Sequence, residues 1–237
     1  MKRSVVVIAH NEATRIGACL ESLLRQTLPA DEIIVVAHNC TDETVTRAKF
    51  YGNSVIVDEY QGPVGIIYAR MRGIGLATGN RIFCIDGDAT AKTTWVQEMD
   101  RQLGRPNTVL AGSYVNISGP LFWKLFSPLN RYLCLLPGRT AASIWGASFA
   151  FPAYVKNFVI EYLKESEEVA RKLNLVRNPD DYWLALRMQK HGTLRITNHT
   201  EVFVVWKQST TAACLERNKE DVAGGRKMFS YYKQQYQ

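Results

Sequence analysis

Residues 81–88 read Arg-Ile-Phe-Cys-Ile-Asp-Gly-Asp, an apolar run that ends abruptly in two carboxylates on either side of a glycine. The run predicts a strand over residues 81–85, and Asp86-Gly87-Asp88 predicts a tight turn directly after it. Residues 5–9, Val-Val-Val-Ile-Ala, form a second apolar run. Continuous runs of this kind are typical of strands that are buried on both faces of a parallel sheet.

The segments between these two strands alternate between helix and strand. Apolar residues at helical spacing and capping signals predict helices over residues 16–24, 42–49 and 70–77, and short apolar runs predict strands over 33–36 and 54–57. Strands that alternate with helices are typical of a parallel sheet wrapped by helices. We therefore expect an α/β fold with a mostly parallel, Rossmann-like sheet, and a ligand site beyond the carboxyl ends of its strands.

The second half of the chain is less regularly patterned. Apolar runs predict strands over residues 109–117 and 195–205, and helical periodicity predicts helices over 95–103, 161–173 and 180–190. Because no linker or internal repeat divides the 237 residues, we expect one domain with two lobes. The first lobe comprises residues 1–117, and the second comprises residues 118–237 and ends in a polar, basic tail.

The net charge of the chain indicates which kinds of molecule it can bind. The chain has 29 Lys and Arg against 22 Asp and Glu, a net charge of +7, which favours anionic partners such as nucleotides, phosphates or acidic lipid. The basic residues are dispersed, and no basic run is interleaved with aromatic residues as in a strip that binds RNA. We therefore expect no nucleic-acid partner.

The spacing of the cysteines and the hydropathy of the chain indicate the cellular compartment in which the protein is found. The five cysteines are widely separated, and the absence of a Cys-x-x-Cys pair argues against a zinc site or a redox dithiol. No run approaches the roughly 18 apolar residues of a membrane helix, and the first apolar run is too short for a signal peptide. These features predict a cytoplasmic protein.

Polar clusters follow three of the predicted strands. They are His10-Asn11-Glu12, His38-Asn39-Cys40 and Asp86-Gly87-Asp88. Because the carboxyl ends of parallel strands meet at one edge of a sheet, we expect the clusters to converge. Two carboxylates on a tight turn offer hard oxygen ligands to Mg²⁺ or Mn²⁺ and leave positions open for phosphate oxygens.

Four segments that occur in the expected order resemble the family 2 glycosyltransferases with the GT-A fold: residues 6–13, 34–44, 69–79 and 86–88. Two later segments are similar to the same family. Residues 145–150, Trp-Gly-Ala-Ser-Phe-Ala, look like its glycine segment on the acceptor side, and residues 179–187 look like its Glu-Asp…Leu-x-x-Arg element. The resemblance covers about residues 4 to 206 and is far more specific than any single motif.

The resemblance implies transfer of a sugar from a nucleotide-diphosphate sugar to an acceptor hydroxyl. The first lobe would hold the nucleotide sugar, and Asp86 and Asp88 would bind Mn²⁺ or Mg²⁺, with His199 as a further candidate ligand. His38 stands where many relatives carry an aspartate that bonds the uracil ring, so the donor base stays open. The residues implied for the nucleotide are Ala9, Asn11, Glu12, His38, Asn39, Arg70, Asp86 and Gly87.

The resemblance also places a catalytic base in the second lobe. Asp181 occupies the position of the base that deprotonates the acceptor hydroxyl in an inverting reaction, and Asp180 stands beside it in place of the commoner Glu. Residues 178–181, Asn-Pro-Asp-Asp, also suit a helix N-terminus, so capping by one of these acids is the structural alternative. Trp145 and Gly146 would contact the acceptor.

The acceptor itself stays open among a glycan, a lipid-linked molecule and a small molecule. Residues 121–126, Leu-Phe-Trp-Lys-Leu-Phe, are strongly apolar. Such a segment either belongs to the core or contacts a membrane surface. We therefore consider peripheral association of residues 119–137 with the inner face of the cell membrane.

Two other classes of function compete with sugar transfer. Residues 86–90, Asp-Gly-Asp-Ala-Thr, also match the Asp-x-Asp-x-Thr loop of magnesium-dependent phosphatases similar to haloacid dehalogenases. That loop normally follows the first strand of its core, whereas three predicted strands precede it here. The second alternative is a catalytically silent module that binds nucleotides or glycans, since a fold does not guarantee a function. The presence of Asp86, Asp88 and Asp181 together argues against it.

Overall fold

The computed structural model describes residues 1–118, 144–205 and 211–236. The strands are β1 (Arg3–Ala9), β2 (Glu32–His38), β3 (Ile56–Tyr60), β4 (Arg81–Asp86), β5 (Ala89–Ala91), β6 (Thr108–Ser118), β7 (Ser148–Pro152) and β8 (Thr193–Val205). The helices are α1 (Ile16–Leu24), α2 (Thr44–Lys49), α3 (Ile66–Leu76), α4 (Trp95–Leu103), α5 (Lys156–Lys172), α6 (Asp180–Met188) and α7 (Thr211–Tyr236).

The strands form one mixed sheet in the order β3-β2-β1-β4-β7-β6-β8-β5. The first four strands in the chain pair in parallel. Strand β7 is antiparallel to both β4 and β6, while β6 runs parallel to β8 and β5 runs antiparallel to β8. The expected α/β sheet is therefore confirmed, and its antiparallel pairings lie in the second half of the order.

Helices cover both faces of this sheet because alternate residues of each central strand point to opposite sides. Val5 and Val7 of β1 belong to one buried cluster, which includes residues of α1 and α4. Val6 and Ile8 belong to a second cluster, which includes residues of α3, α5 and α6. A strand that is apolar at every position, as β1 is, therefore suits the centre of the sheet.

The sequence missed two short strands and placed the bounds of several elements inexactly; helix α3, for example, begins at Ile66, four residues before its predicted start. Strand β5 has three residues and β7 has five, which is too short for a periodic pattern to distinguish them from loops. Helix α5 begins at Lys156, five residues before the predicted start. The predicted polar tail forms helix α7, which packs through Met228 and Tyr232 against Trp183 of α6.

The single sheet crosses the predicted boundary between residues 117 and 118, so the two predicted lobes share it. Within the described ranges, no helix combines the length and apolar character needed to cross a membrane. The apolar segment considered for membrane contact, residues 119–137, lies outside the described residues.

Candidate active site

The polar clusters after β1, β2 and β4 lie together at the carboxyl edge of the sheet, as their positions in the chain predict. The Gly87 amide donates to the carbonyl of Ile8 at 2.8 Å, which joins the turn after β4 to the end of β1. The Thr41 amide donates to Asn11 Oδ1 at 2.8 Å, which joins the loops after β1 and β2. His10 Nδ1 lies 2.8 Å from the carbonyl oxygen of His38.

Several residues implied for the nucleotide also shape the backbone here. Gly87 is packed so closely that a Cβ on it would lie 3.0 Å from the Ala9 Cβ. Asn11 and Asn39 both adopt positive φ, 53° and 49°, the left-handed region that asparagine tolerates better than most residues. The buried Glu12 pairs with Arg15 Nη2 at 2.6 Å, and its carbonyl accepts the first amide of α1.

Asn39 and His38 organise the loop that follows β3. Asn39 Nδ2 donates to the Gly62 carbonyl at 2.9 Å, and the Gly62 amide donates to Asn39 Oδ1 at 3.0 Å. His38 is buried and stacks on Tyr60, with ring centroids 5.2 Å apart. No pattern in the sequence points to Tyr60, because only the tertiary fold brings the ends of β2 and β3 side by side.

Burial lowers the pKa of His38 from its ordinary value of 6.5, and the nearby charge of His10 acts in the same direction. The ring is therefore neutral at neutral pH, with one nitrogen that donates and one that accepts. Within the described residues its Nε2 atom is buried and has no hydrogen-bond partner.

An acidic cluster lies at the end of β4. Asp86 belongs to the strand, Asp88 to the turn after it, and Asp180 and Asp181 to the first turn of α6. The guanidinium of Arg70, from α3, ion-pairs with Asp180 and lies 3.4 Å from Asp86 Oδ1. The structure thus brings together acids that are almost 100 residues apart in the chain.

The carboxylates of this cluster repel one another in a poorly solvated environment. Burial raises the pKa of Asp86 from 3.8 to about 7; Arg70 opposes this shift, and Asp88, Asp180 and Asp181 reinforce it. Burial and the charge of Asp180 also raise the pKa of Asp181. Such shifts are typical of sites that bind a cation or exchange a proton.

The structure assigns different contacts to the two adjacent acids of α6. The helix is capped at Pro179 without a side-chain hydrogen bond, and Asp180 pairs with Arg70 instead of capping. Asp181 Oδ2 accepts the Gly146 amide at 2.7 Å, and Asp181 Oδ1 accepts the amide of Tyr182, in the first turn of α6, also at 2.7 Å. Trp145, the neighbour of Gly146, is partly buried, and its carbonyl accepts the Ser148 amide at 2.9 Å.

The residues of the acidic turn fit a divalent cation. Asp86 and Asp88 supply the oxygen ligands that Mg²⁺ and Mn²⁺ prefer, and a cation would relieve the repulsion that raises the pKa of Asp86. Across the described ranges, no group of three or more His, Cys, Asp or Glu side chains is arranged to hold a metal ion. A cation held here would therefore need further oxygen ligands from a substrate or water.

His199 is not brought to this turn. Ala89, which directly follows the turn, pairs with Val204 on β8. His199 lies five residues earlier on the same strand, within the register shift between Thr197 and Glu201, and among the described residues it forms no group with Asp86 and Asp88 that could hold a metal ion. Its side chain is exposed at that position.

Comparison with known proteins places these observations in a family. The profile of the family described as "Glycosyl transferase family 2" matches residues 4–155. A segment of 89 residues is 36% identical to "Uncharacterized glycosyltransferase YibD" of Escherichia coli K12 and covers 37% of this chain and 26% of that protein. A segment of 90 residues is 38% identical to "4,4'-diaponeurosporenoate glycosyltransferase" of Staphylococcus aureus USA300 and covers 37% of this chain and 24% of that protein. The matches thus span about a quarter of each relative.

Solved structures share the fold. Two crystal structures of S. aureus TarS residues 1–349, in complex with UDP and with UDP-GlcNAc, superpose with TM-scores of 0.60 and 0.61 at 14% identity. The superpositions cover 87% and 90% of this chain and 61% of the chain of TarS residues 1–349 in each case. The expected fold of the GT-A type is therefore confirmed.

Proposed function

The chain belongs to glycosyl transferase family 2, and from this premise we propose that it transfers a sugar from a nucleotide-diphosphate sugar to an acceptor hydroxyl with the help of Mg²⁺ or Mn²⁺. The observation that carries the proposal is the acidic cluster at the carboxyl edge of the sheet. It combines a carboxylate turn suited to a cation with a separate carboxylate, Asp181, that is held by a backbone amide. Sugar transfer needs both functions at one place.

The nucleotide would lie along the ends of β1 and β2, and the diphosphate would lie over the acidic turn. Ala9, Asn11, Glu12, His38 and Asn39 line this edge, and the neutral His38 ring could meet a base edge with one donor and one acceptor. The complexes of TarS with UDP and UDP-GlcNAc support this class of donor. Because His38 replaces the aspartate of many relatives, we leave the donor base open.

The cation, when bound by Asp86 and Asp88, would offset the negative charge of the departing diphosphate. Asp181 would accept the proton of the acceptor hydroxyl in an inverting reaction. Its raised pKa makes it a stronger base than an ordinary aspartate, and the Gly146 amide fixes the direction of its carboxylate. Asp180, which pairs with Arg70, would act beside it without taking the proton.

The acceptor would approach from the side of Trp145 and Gly146, next to the proposed base. We propose a glycan, a lipid-linked molecule or a small molecule as the acceptor class. Contact of residues 119–137 with a membrane surface belongs to the same proposal and would bring a lipid-linked acceptor to the site.

A panel of thermal shifts tests the donor half of the proposal. Wild type is compared with Asp88→Asn and with a matched control, Glu21→Gln, whose exposed carboxylate pairs with Arg25 on α1. Each protein is mixed with UDP, GDP, CDP or dTDP in the presence of Mn²⁺, Mg²⁺ or a chelator. A ligand at about 100 times its Kd adds about 2.7 kcal/mol of stability, which raises the melting midpoint measurably.

We expect one nucleotide to raise the midpoint of wild type and of Glu21→Gln only with metal, and to have little effect on Asp88→Asn. Release of the same nucleoside diphosphate from its nucleotide sugar would then demonstrate transfer or slow hydrolysis. A shift without turnover for every sugar tried would indicate a silent binding module. Hydrolysis of a phosphomonoester that Asp86→Asn abolishes would indicate the phosphatase alternative.

A further inference from the structure

Arg70 is the most deeply enclosed charge at the candidate site. Its side chain is 2% exposed. One terminal nitrogen contacts Asp180, the other lies 3.4 Å from Asp86, and the guanidinium carbon lies 5.6 Å from the centroid of the Phe149 ring. Within the described residues its Nε atom is also buried and makes no hydrogen bond. The guanidinium is therefore in contact with Asp180, Asp86 and the Phe149 ring.

Gly146 closes the space next to this guanidinium. A Cβ on Gly146 would lie 2.7 Å from Arg70 Nη2 and 3.3 Å from its Cζ, so the guanidinium would have to shift to make room for it. The amide of the same glycine donates to Asp181 at 2.7 Å. Gly146 thus leaves room for the Arg70 guanidinium because it has no side chain, and it contacts Asp181 through its backbone amide.

These contacts connect three separate parts of the chain around the proposed base. Arg70 comes from α3, Gly146 precedes β7, and Asp180 and Asp181 begin α6. The planar guanidinium can hold two carboxylates in fixed directions, which a lysine ammonium cannot do. The first turn of α6 is thereby tied to the end of β4, where the cation turn begins.

We propose that Arg70 is a positioning residue that works with Gly146 to aim the Asp181 carboxylate relative to the acidic turn. Arg70 ion-pairs with Asp180, so Asp181 is the acid of the two that can accept a proton from the acceptor. The guanidinium fits beside residue 146 because glycine has no side chain. This inference rests on the proposed function, and it differs from direct contact between Arg70 and the nucleotide.

The test separates positioning from donor binding. Arg70→Lys and Gly146→Ala are each compared with wild type for the kcat and KM of nucleotide-sugar turnover and for the Kd of the matching nucleoside diphosphate. Gly75→Ala is the matched control, because Gly75 lies on the same helix as Arg70 and an added Cβ would meet no described atom within 4 Å. Circular dichroism and melting midpoints verify the fold of each variant.

We expect Arg70→Lys and Gly146→Ala each to lower kcat by about 100-fold, because a misplacement of about 1 Å at a reacting group costs on this order. The nucleotide Kd should change by less than about threefold, as for an interaction made only in the transition state. The double variant should lose little more than the worse single variant, since both disturb one contact. Gly75→Ala should match wild type in kcat and Kd.

Other outcomes would overturn the proposal. A Kd raised tenfold or more by Arg70→Lys, with kcat retained, would make Arg70 a donor contact, and full additivity would separate it from Gly146. If Arg70→Lys fails to fold, Gly146→Ala decides alone, and unchanged kcat in that variant refutes the proposal. Wild type without turnover of any nucleotide sugar refutes the proposed function before any variant is compared.

Discussion

The carboxylates at the two ends of the parallel strands have pKa values that are shifted in opposite directions. At the amino end, Glu32 of β2 accepts hydrogen bonds from the hydroxyl of Ser4 and from the amide and hydroxyl of Thr78, and lies 3.1 Å from Lys2 Nζ. Burial alone would raise its pKa, but these contacts outweigh burial and lower the pKa to about 2. At the carboxyl end, burial and neighbouring acids raise the pKa of Asp86 to about 7.

This difference is what we expect between a structural charge and the charge proposed to bind a cation. Hydrogen bonds from hydroxyl and amide donors satisfy Glu32 within the protein, so its ionisation stabilises the fold. Burial and the charges of Asp88, Asp180 and Asp181 raise the pKa of Asp86, whereas the nearby guanidinium of Arg70, which ion-pairs with Asp180, lowers it. Excess negative charge costs stability in the free protein and becomes useful when a cation or proton arrives.

The largest effect should come from Asp181→Asn at the carboxyl end. We expect kcat to fall by about 10³-fold, or about 4 kcal/mol in the activation free energy, because the proposed general base is lost. The melting midpoint should fall only slightly, because the asparagine oxygen can accept from Gly146 or from Tyr182 but not from both, while the repulsion between Asp181 and Asp180 is removed. Steady-state kinetics and calorimetry measure both. A large fall in the midpoint would mean that Asp181 is a structural acid like Glu32.

Glu32→Gln should give the opposite result at the amino end. Hydrogen bonds to a charged group contribute about 2 kcal/mol, so we expect a loss of about this size in the free energy of unfolding. The kcat of the folded variant should equal that of wild type, because Glu32 lies at the other end of the strands. Urea denaturation and turnover measure the two quantities. Loss of activity without loss of stability would contradict the division between the ends.

The two ends should also respond to pH with opposite signs. Glu32 titrates near 4.5 when unfolded and near 2 when folded, so its stabilisation is present above pH 4.5 and is lost as pH falls toward 2. Asp86 titrates near 3.8 when unfolded and near 7 when folded, so its stabilisation is present below pH 3.8 and is lost as pH rises toward 7.

Melting midpoints of metal-free protein between pH 2 and 8 measure these slopes. Glu32→Gln should flatten the loss of stability on the acid side, and Asp86→Asn should flatten the loss between pH 4 and 7. If Asp86→Asn does not change the loss of stability between pH 4 and 7, other groups already balance the negative charge at the carboxyl end of the strands. That result would contradict the expected difference between the two ends.

The smallest effect should come from an ion pair that is exposed to solvent. Arg47 on α2 and Glu43, the residue before the helix, form such an i,i+4 pair, with nitrogen and oxygen 2.8 Å apart. Exposed pairs of this kind contribute less than about 0.5 kcal/mol, so Arg47→Ala should change stability by no more than that. Chemical denaturation measures this change in the free energy of unfolding. A loss larger than about 0.5 kcal/mol would show that exposed charges affect stability as much as the carboxylates at the strand ends.

Much of the parallel half could be predicted from the sequence. Helix α1 buries Ile16, Cys19, Leu20 and Leu23, and this spacing of three and four residues is visible in the chain. The three polar clusters at the strand ends were predicted to converge, and they do. The short strands β5 and β7 could not be predicted, because only pairing with distant strands stabilises segments of three and five residues.

The candidate site divides in the same way. The sequence and its family resemblance singled out Asp86, Asp88 and Asp181, since carboxylates after a strand or at a helix start leave a local pattern. The stacking of Tyr60 on His38 and the bond from Gly146 to Asp181 leave no such pattern. Each joins residues far apart in the chain, and the fold alone brings them within reach.

The sequence by itself therefore determined the α/β alternation, the family and the acids at the edge of the sheet, because periodicity and motif order are properties of neighbouring residues. Only the tertiary structure decided which of these charges are satisfied. Arg70 and Asp180 are 110 residues apart and fully enclosed together, whereas Glu32 finds its donors at the opposite end. Burial and charge balance depend on distances in space, and these are set only when the chain has folded.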